Sequence, residues 1–71
     1  MLLSPSQKAI LTHLLTEGDD VPANIAEAAD LHRNSVSRAA KPLKENDLIR
    51  NKGHGVYTLT EQGRQEAREH L

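Results

Sequence analysis

Apolar residues recur along this chain in short helical stripes, not in continuous runs. Ile10, Leu11, Leu14 and Leu15 take the i, i+1, i+4, i+5 spacing of one face of an amphipathic helix. Ser4 offers an oxygen to cap orphan amides, Pro5 suits a first helical position, and Gly18 stands where a left-handed stop would fall. Helix one is therefore predicted over about 5–17. Asp19-Asp20 reads as a turn, and Val21, preceding Pro22, is predicted extended as a very short strand. Pro22 opens a second helix over about 22–29, with Ile25, Ala26 and Ala29 on its apolar face, and Asp30-Leu31-His32 interrupts it.

From Arg33 the helical spacing resumes over about 33–45, with Val36, Ala39, Ala40 and Leu43 on one side. At about 100° per residue the opposite side carries Asn34, Ser37, Arg38, Lys41 and Glu45. Pro42 lies inside this third helix and removes the amide that would bond the Arg38 carbonyl, so a kink or a tightening near Arg38 to Pro42 is expected. Leu48-Ile49-Arg50-Asn51-Lys52 and Val56-Tyr57-Thr58-Leu59 flank Gly53-His54-Gly55, which predicts a hairpin over about 48–59. Thr60 caps a final helix over about 61–71, whose stripe is Gly63, Ala67 and Leu71. The predicted fold is mainly α with a small β-hairpin wing, a winged helix-turn-helix, in a single domain over 1–71.

Charge sharpens this picture once it is divided. The 71 residues carry a net charge of −1, which taken whole argues against a nucleic-acid binder. The middle of the chain is different: Arg33, Arg38, Lys41, Lys44, Arg50 and Lys52 outweigh Glu45 and Asp47 by four, between acidic ends. One basic surface on an otherwise acidic chain suits phosphate. A helix with a small aliphatic buried side and an Asn, Ser, Arg and Lys exposed side can enter a major groove about 12 Å wide. In that arrangement Asn34, Ser37, Arg38 and Lys41 read bases, and Arg33, Ser35, Arg50, Lys52 and His54 hold phosphate, with His54 at the wing tip. Tyr57 is the only aromatic residue, so duplex DNA is preferred over single strands that need stacking platforms.

Other chemistries find little support. There is no cysteine, which removes disulfide and thiolate-metal sites. His13, His32, His54 and His70 have no paired ligand spacing, His13 reads as a surface or interface residue, and His32 as a cap or phosphate donor. No phosphate-cradling loop, nucleophile elbow or metalloprotease motif occurs, so neither catalysis nor a cofactor is expected, and no small-molecule effector is evident. The first residues read as neither a signal peptide nor a membrane span, so a cytoplasmic or nucleoid-associated protein without membrane contact is expected.

Three strings carry a family likeness. Leu31-His32-Arg33-Asn34-Ser35-Val36-Ser37-Arg38, Leu43-Lys44-Glu45-Asn46-Asp47-Leu48-Ile49-Arg50 and Leu59-Thr60-Glu61-Gln62-Gly63-Arg64 resemble the MarR-type winged-helix pattern of a recognition helix, a helix-to-strand hinge and a strand-to-helix corner. The chain is also similar to small repressor-like proteins of haloarchaea and their phages. This resemblance, over about 20–65, implies a dimeric repressor on an inverted-repeat operator, with contacts from helix three and the wing. Asp47 stands where the pattern more often has Gly, which would mildly disfavour a left-handed hinge. Gly63, Ala67 and Leu71, with Leu2 and Leu3, either pack the last helix onto helix one or join two chains; the small core favours a homodimer. The competing readings are a winged-helix protein-interaction module with an acidic partner and a DNA replication or maintenance protein.

Overall fold

The computed structural model describes residues 2–70. Four helices, α1 (Pro5–Glu17), α2 (Pro22–Ala29), α3 (Arg33–Glu45) and α4 (Glu61–Glu69), accompany a hairpin of β1 (Ile49–Asn51) and β2 (Tyr57–Leu59), which packs on α1, α3 and α4. Residue 71, the proposed end of the last helix and of its stripe, lies outside the described residues. Among the described residues no helix is long and apolar enough to cross a membrane.

Each helix start has a local cause. Ser4 forms a reciprocal capping box with Gln7: its Oγ accepts the Gln7 amide at 3.2 Å, and Gln7 Oε1 accepts the Ser4 amide at 2.9 Å. Pro22 occupies the first turn of α2. His32 caps α3, with Nδ1 accepting the Asn34 amide at 3.1 Å, and the Thr60 hydroxyl caps α4 by accepting the Gly63 amide at 2.9 Å.

The ends of α2 and α3 repeat one device. Asp30, at φ 56°, follows α2, where Leu31 N bonds Ala26 O at 2.8 Å and Asp30 N bonds Glu27 O at 3.3 Å. Asp47, at φ 58°, follows α3, where Leu48 N bonds Leu43 O at 2.9 Å and Asp47 N bonds Lys44 O at 3.0 Å. Both are Schellman closures, which need a left-handed residue after the helix and an apolar residue beyond it. Leu48 supplies the apolar residue after α3, and Leu31 packs against the core after α2. The left-handed hinge is thus adopted by Asp47 despite the cost expected of a non-glycine residue. Between these closures α3 runs unbroken from Arg33 to Glu45 through Pro42.

The core joins all the elements: Ile10, Leu11 and Leu14 from α1, Ile25 and Ala26 from α2, Val36, Ala40 and Leu43 from α3, with Leu48, Ile49, Tyr57, Leu59 and Ala67. Ala40, not Ala39, is the fully buried alanine of α3; Ala39 sits at the core edge and its carbonyl accepts a long 3.5 Å bond from Gln7 Nε2. Val21 is extended as predicted, at φ −96° and ψ 155°, but the strand pairing is made one residue earlier: Asp20 bridges Tyr57, with N–O distances of 3.2 and 2.8 Å. β2 is consequently bonded on both sides, to β1 and to Asp20.

The Gly63 and Ala67 stripe is used within the chain. α4 packs on α1, Ala67 is fully buried, and a Cβ at Gly63 would overlap the Leu48 carbonyl oxygen. These two residues are therefore not a surface for a second copy. Leu3 packs against the core, whereas Leu2 is 99% exposed.

Candidate nucleic-acid interface

α3 divides as its sequence spacing requires. Val36, Ala40 and Leu43 are buried, and Arg33, Asn34, Ser37, Arg38 and Lys41 are exposed. Ser35 is half-buried at the flank of that surface, the one candidate on α3 that is not fully open. Arg38 turns its Nε back to the Asn34 carbonyl at 3.4 Å, which lays the guanidinium along the helix and leaves its terminal nitrogens for other acceptors. His32 accepts the Asn34 amide through Nδ1, so the neutral ring carries its proton on Nε2.

The wing candidates form a second group. Arg50, Lys52 and His54 are all exposed. His54 takes φ 53° between Gly53 at 114° and Gly55 at 74°, while Asn51 Oδ1 accepts the Gly53 amide at 2.9 Å to set the turn. A non-glycine residue is held here in a conformation that two glycines flank. Both wing cations already have carboxylate partners: Arg50 reaches Asp47 Oδ1 at 3.3 Å, and Lys52 Nζ reaches Asp19 Oδ2 at 2.6 Å.

Two residues of this surface have long-range partners that periodicity does not reveal. Lys44, in the last turn of α3, holds its ammonium 4.8 Å from the centroid of the Tyr57 ring. Asp19, part of what reads only as a turn, binds a wing lysine 33 positions away. Lysine 52 and, next, the Thr58 hydroxyl hold the Asp19 carboxyl below its ordinary value, against a smaller opposing effect of burial. The neighbouring Asp20 is lowered chiefly by His13, whose Nε2 lies 2.8 Å from Oδ2, and then by the Asn24 side chain and the Val21 amide. His13, read from sequence as a surface or interface residue, is instead largely covered, with 11% of its side chain exposed.

No three His, Asp or Glu side chains converge as a metal site among the described residues. An open, shallow groove between α1 and α2 is lined by Ala9, Thr12, His13, Thr16, Ala28 and Ala29.

No family model and no curated protein matches the chain. Solved structures do. NMB1585, a MarR family regulator from Neisseria meningitidis, is 29% identical with a TM-score of 0.87 over 94% of this chain and 51% of its own. Lactococcus lactis ZitR in complex with DNA is 34% identical with a TM-score of 0.82, over 99% of this chain and 51% of that one. The adhesin competence repressor AdcR of Streptococcus pyogenes is 26% identical with a TM-score of 0.85, over 96% and 55%. This chain spans about half the length of each. All three come from bacteria, and the haloarchaeal likeness has no counterpart among them. With four helices, a hairpin wing and these neighbours, the chain is a MarR-like winged helix-turn-helix.

Proposed function

We propose that this chain is a sequence-specific duplex DNA-binding transcriptional regulator that acts as a repressor and works as a homodimer. The observation that carries the reading is the division of α3: its aliphatic side is locked in the core while Asn34, Ser37, Arg38 and Lys41 stand exposed on the other. In this reading α3 enters the major groove and those four residues read base edges. Arg33, Ser35, Arg50, Lys52 and His54 hold the backbone, with His54 at the minor groove. The ZitR structure with DNA and the repressor AdcR support the reading by likeness. Repression would follow from occupying promoter DNA, and the site of action would be the cytoplasm or nucleoid.

Two copies would set two α3 helices about 34 Å apart on one DNA face. Light scattering behind a sizing column is expected to give twice the 7.8 kDa chain mass; a monomer up to high concentration would remove the dimer.

The test of DNA binding is anisotropy of a labelled duplex carrying the DNA upstream of this protein's own gene, titrated at several salt concentrations beside a scrambled duplex. Log affinity is expected to fall linearly with log salt at a slope of about −4 to −9, for roughly five to ten phosphates. Absence of binding to either duplex at low salt would overturn the reading and leave an acidic protein as the partner of the basic face.

A further inference from the structure

The basic wing is partly neutralised by the chain's own carboxylates. Lys52 is the clearer case, because its partner is not a neighbour on the same hairpin but Asp19, in the turn between α1 and α2. The contact is short, 2.6 Å, and neither side chain is sequestered: 54% of Lys52 and 38% of Asp19 remain exposed. Asp19 is held in reach of the wing by the residue next to it, since Asp20 makes both backbone bonds to Tyr57. Asp20 is itself fixed by Val21, Asn24 and His13. The carboxylate is therefore presented to Lys52 by a braced turn.

A carboxylate and a phosphate offer a lysine the same interaction: a singly charged, oxygen-rich acceptor at hydrogen-bond distance. Resting on the duplex-binding reading above, we propose that Asp19 is an internal substitute for DNA phosphate. It occupies Lys52 in the free protein, so that the wing gains a backbone contact only by exchanging carboxylate for phosphate. Phosphate contacts supply nearly all of the sequence-independent affinity. An exchange of one anion for another adds little to that term, whereas base contacts from α3 face no such competitor. Asp19 thereby lowers affinity for arbitrary DNA and leaves discrimination to α3.

Charge repulsion from Asp19 alone would also weaken DNA binding, and Glu17 separates the two effects. Glu17 is exposed at the end of α1, two positions from Asp19, and has the same charge. Asp19→Asn removes the charge while keeping a side chain that can bond Thr58; Glu17→Gln removes a charge without touching Lys52; Asp19→Glu keeps the carboxylate.

The experiment measures anisotropy of a labelled random-sequence duplex at several salt concentrations for the wild-type chain, these three variants, Lys52→Gln, and Lys52→Gln combined with Asp19→Asn. Asp19→Asn is expected to tighten binding about two- to fivefold, the range spanned by an exposed ion pair. It should also steepen the salt slope by about 0.9, the signature of one further phosphate contact. Glu17→Gln should gain less with no change of slope, and Asp19→Glu should match the wild type. Adding Lys52→Gln should erase the gain made by Asp19→Asn but cost the wild-type chain much less. Thermal melts by circular dichroism, recorded alongside, establish that each variant is folded. An Asp19→Asn variant that binds like the wild type, or no better than Glu17→Gln, overturns the proposal and leaves the duplex-binding reading standing. Failure of every folded variant to bind duplex overturns both.

Discussion

The Lys44 ammonium lies 4.8 Å from the centroid of the Tyr57 ring, which joins the last turn of α3 to the second strand of the wing. Tyr57 is buried and also pairs through its backbone with Asp20, so one residue ties α3, the wing and the turn after α1. Tyr57→Phe keeps both the ring face and the backbone bonds and should unfold in urea near the wild-type midpoint. Tyr57→Leu loses the face that receives the cation and part of the core volume, and should cost about 1–3 kcal/mol in the same titration.

Gly63 has no room for a side chain, because its Cβ would collide with the Leu48 carbonyl, a backbone atom that also accepts the Thr60 amide at 3.1 Å. Relief would require moving α4 off the hairpin. Gly63→Ala is expected to cost about 3 kcal/mol. For a domain of this size that is a fall in Tm of roughly 12–24 °C, measurable by circular dichroism.

Asp47 closes α3 with a positive φ of 58°, and its pairing with Arg50 is an exposed contact of little energetic weight. Backbone conformation therefore sets the response to substitution. The melting temperatures of variants at this position should fall in the order Gly, Asp, Val, with Val at least about 1 kcal/mol below Asp, since a β-branched residue is strained in this region.

Acid should weaken the fold through Asp20. Its folded-state pKa is depressed below the ordinary 3.8 by His13, Asn24 and the Val21 amide, so the unfolded chain takes up a proton more readily. The stabilisation is present above about pH 3.8 and is lost as pH falls through the lower folded value. Asp19 acts in the same direction. The difference in unfolding free energy between the wild type and Asp20→Asn should shrink as pH falls through the acid range below about 3.8; urea titrations across acid pH would show this.

Arg38 should carry more sequence discrimination than any wing residue. Arg38→Ala is expected to cost about 1–3 kcal/mol on a preferred duplex and to broaden the base preference at one position. Selection from a random duplex pool, sequenced for wild type and variant, reads this directly; an unchanged preference would assign Arg38 to the backbone instead.

The fold class was legible because its determinants are local. Ser4 and Pro5, Pro22, and Thr60 mark helix starts by short-range bonds and fixed dihedrals, and the stripes of α1 and α3 follow from spacing alone. What was not legible depends on residues far apart in sequence. Val21 reads as extended, but it is Asp20 that finds Tyr57, because strand pairing is settled by the partner 37 positions on. For Gly63 and Ala67 the small core favours packing between two chains, and only the Leu48 carbonyl against Gly63 shows that they pack inside one. The exposed polar side of α3 follows from helical phase. The carboxylate that occupies Lys52 and the ring under Lys44 come from tertiary approach and leave no periodic trace, whereas Asp47 meets Arg50 only three positions along the chain.

The placement of β2 between β1 and Asp20 separates two properties of the wing that a free hairpin would combine. Its root is secured at Tyr57, which pairs with Asn51 on one side and Asp20 on the other. Residues 52–56 project beyond that root and contribute nothing to the hydrophobic core. Lengthening such a loop costs only about 0.6 kcal/mol per doubling. Reach toward a ligand is thus adjustable at the tip while orientation is inherited from the root, and related chains can diversify their wings by insertion without re-optimising the interior.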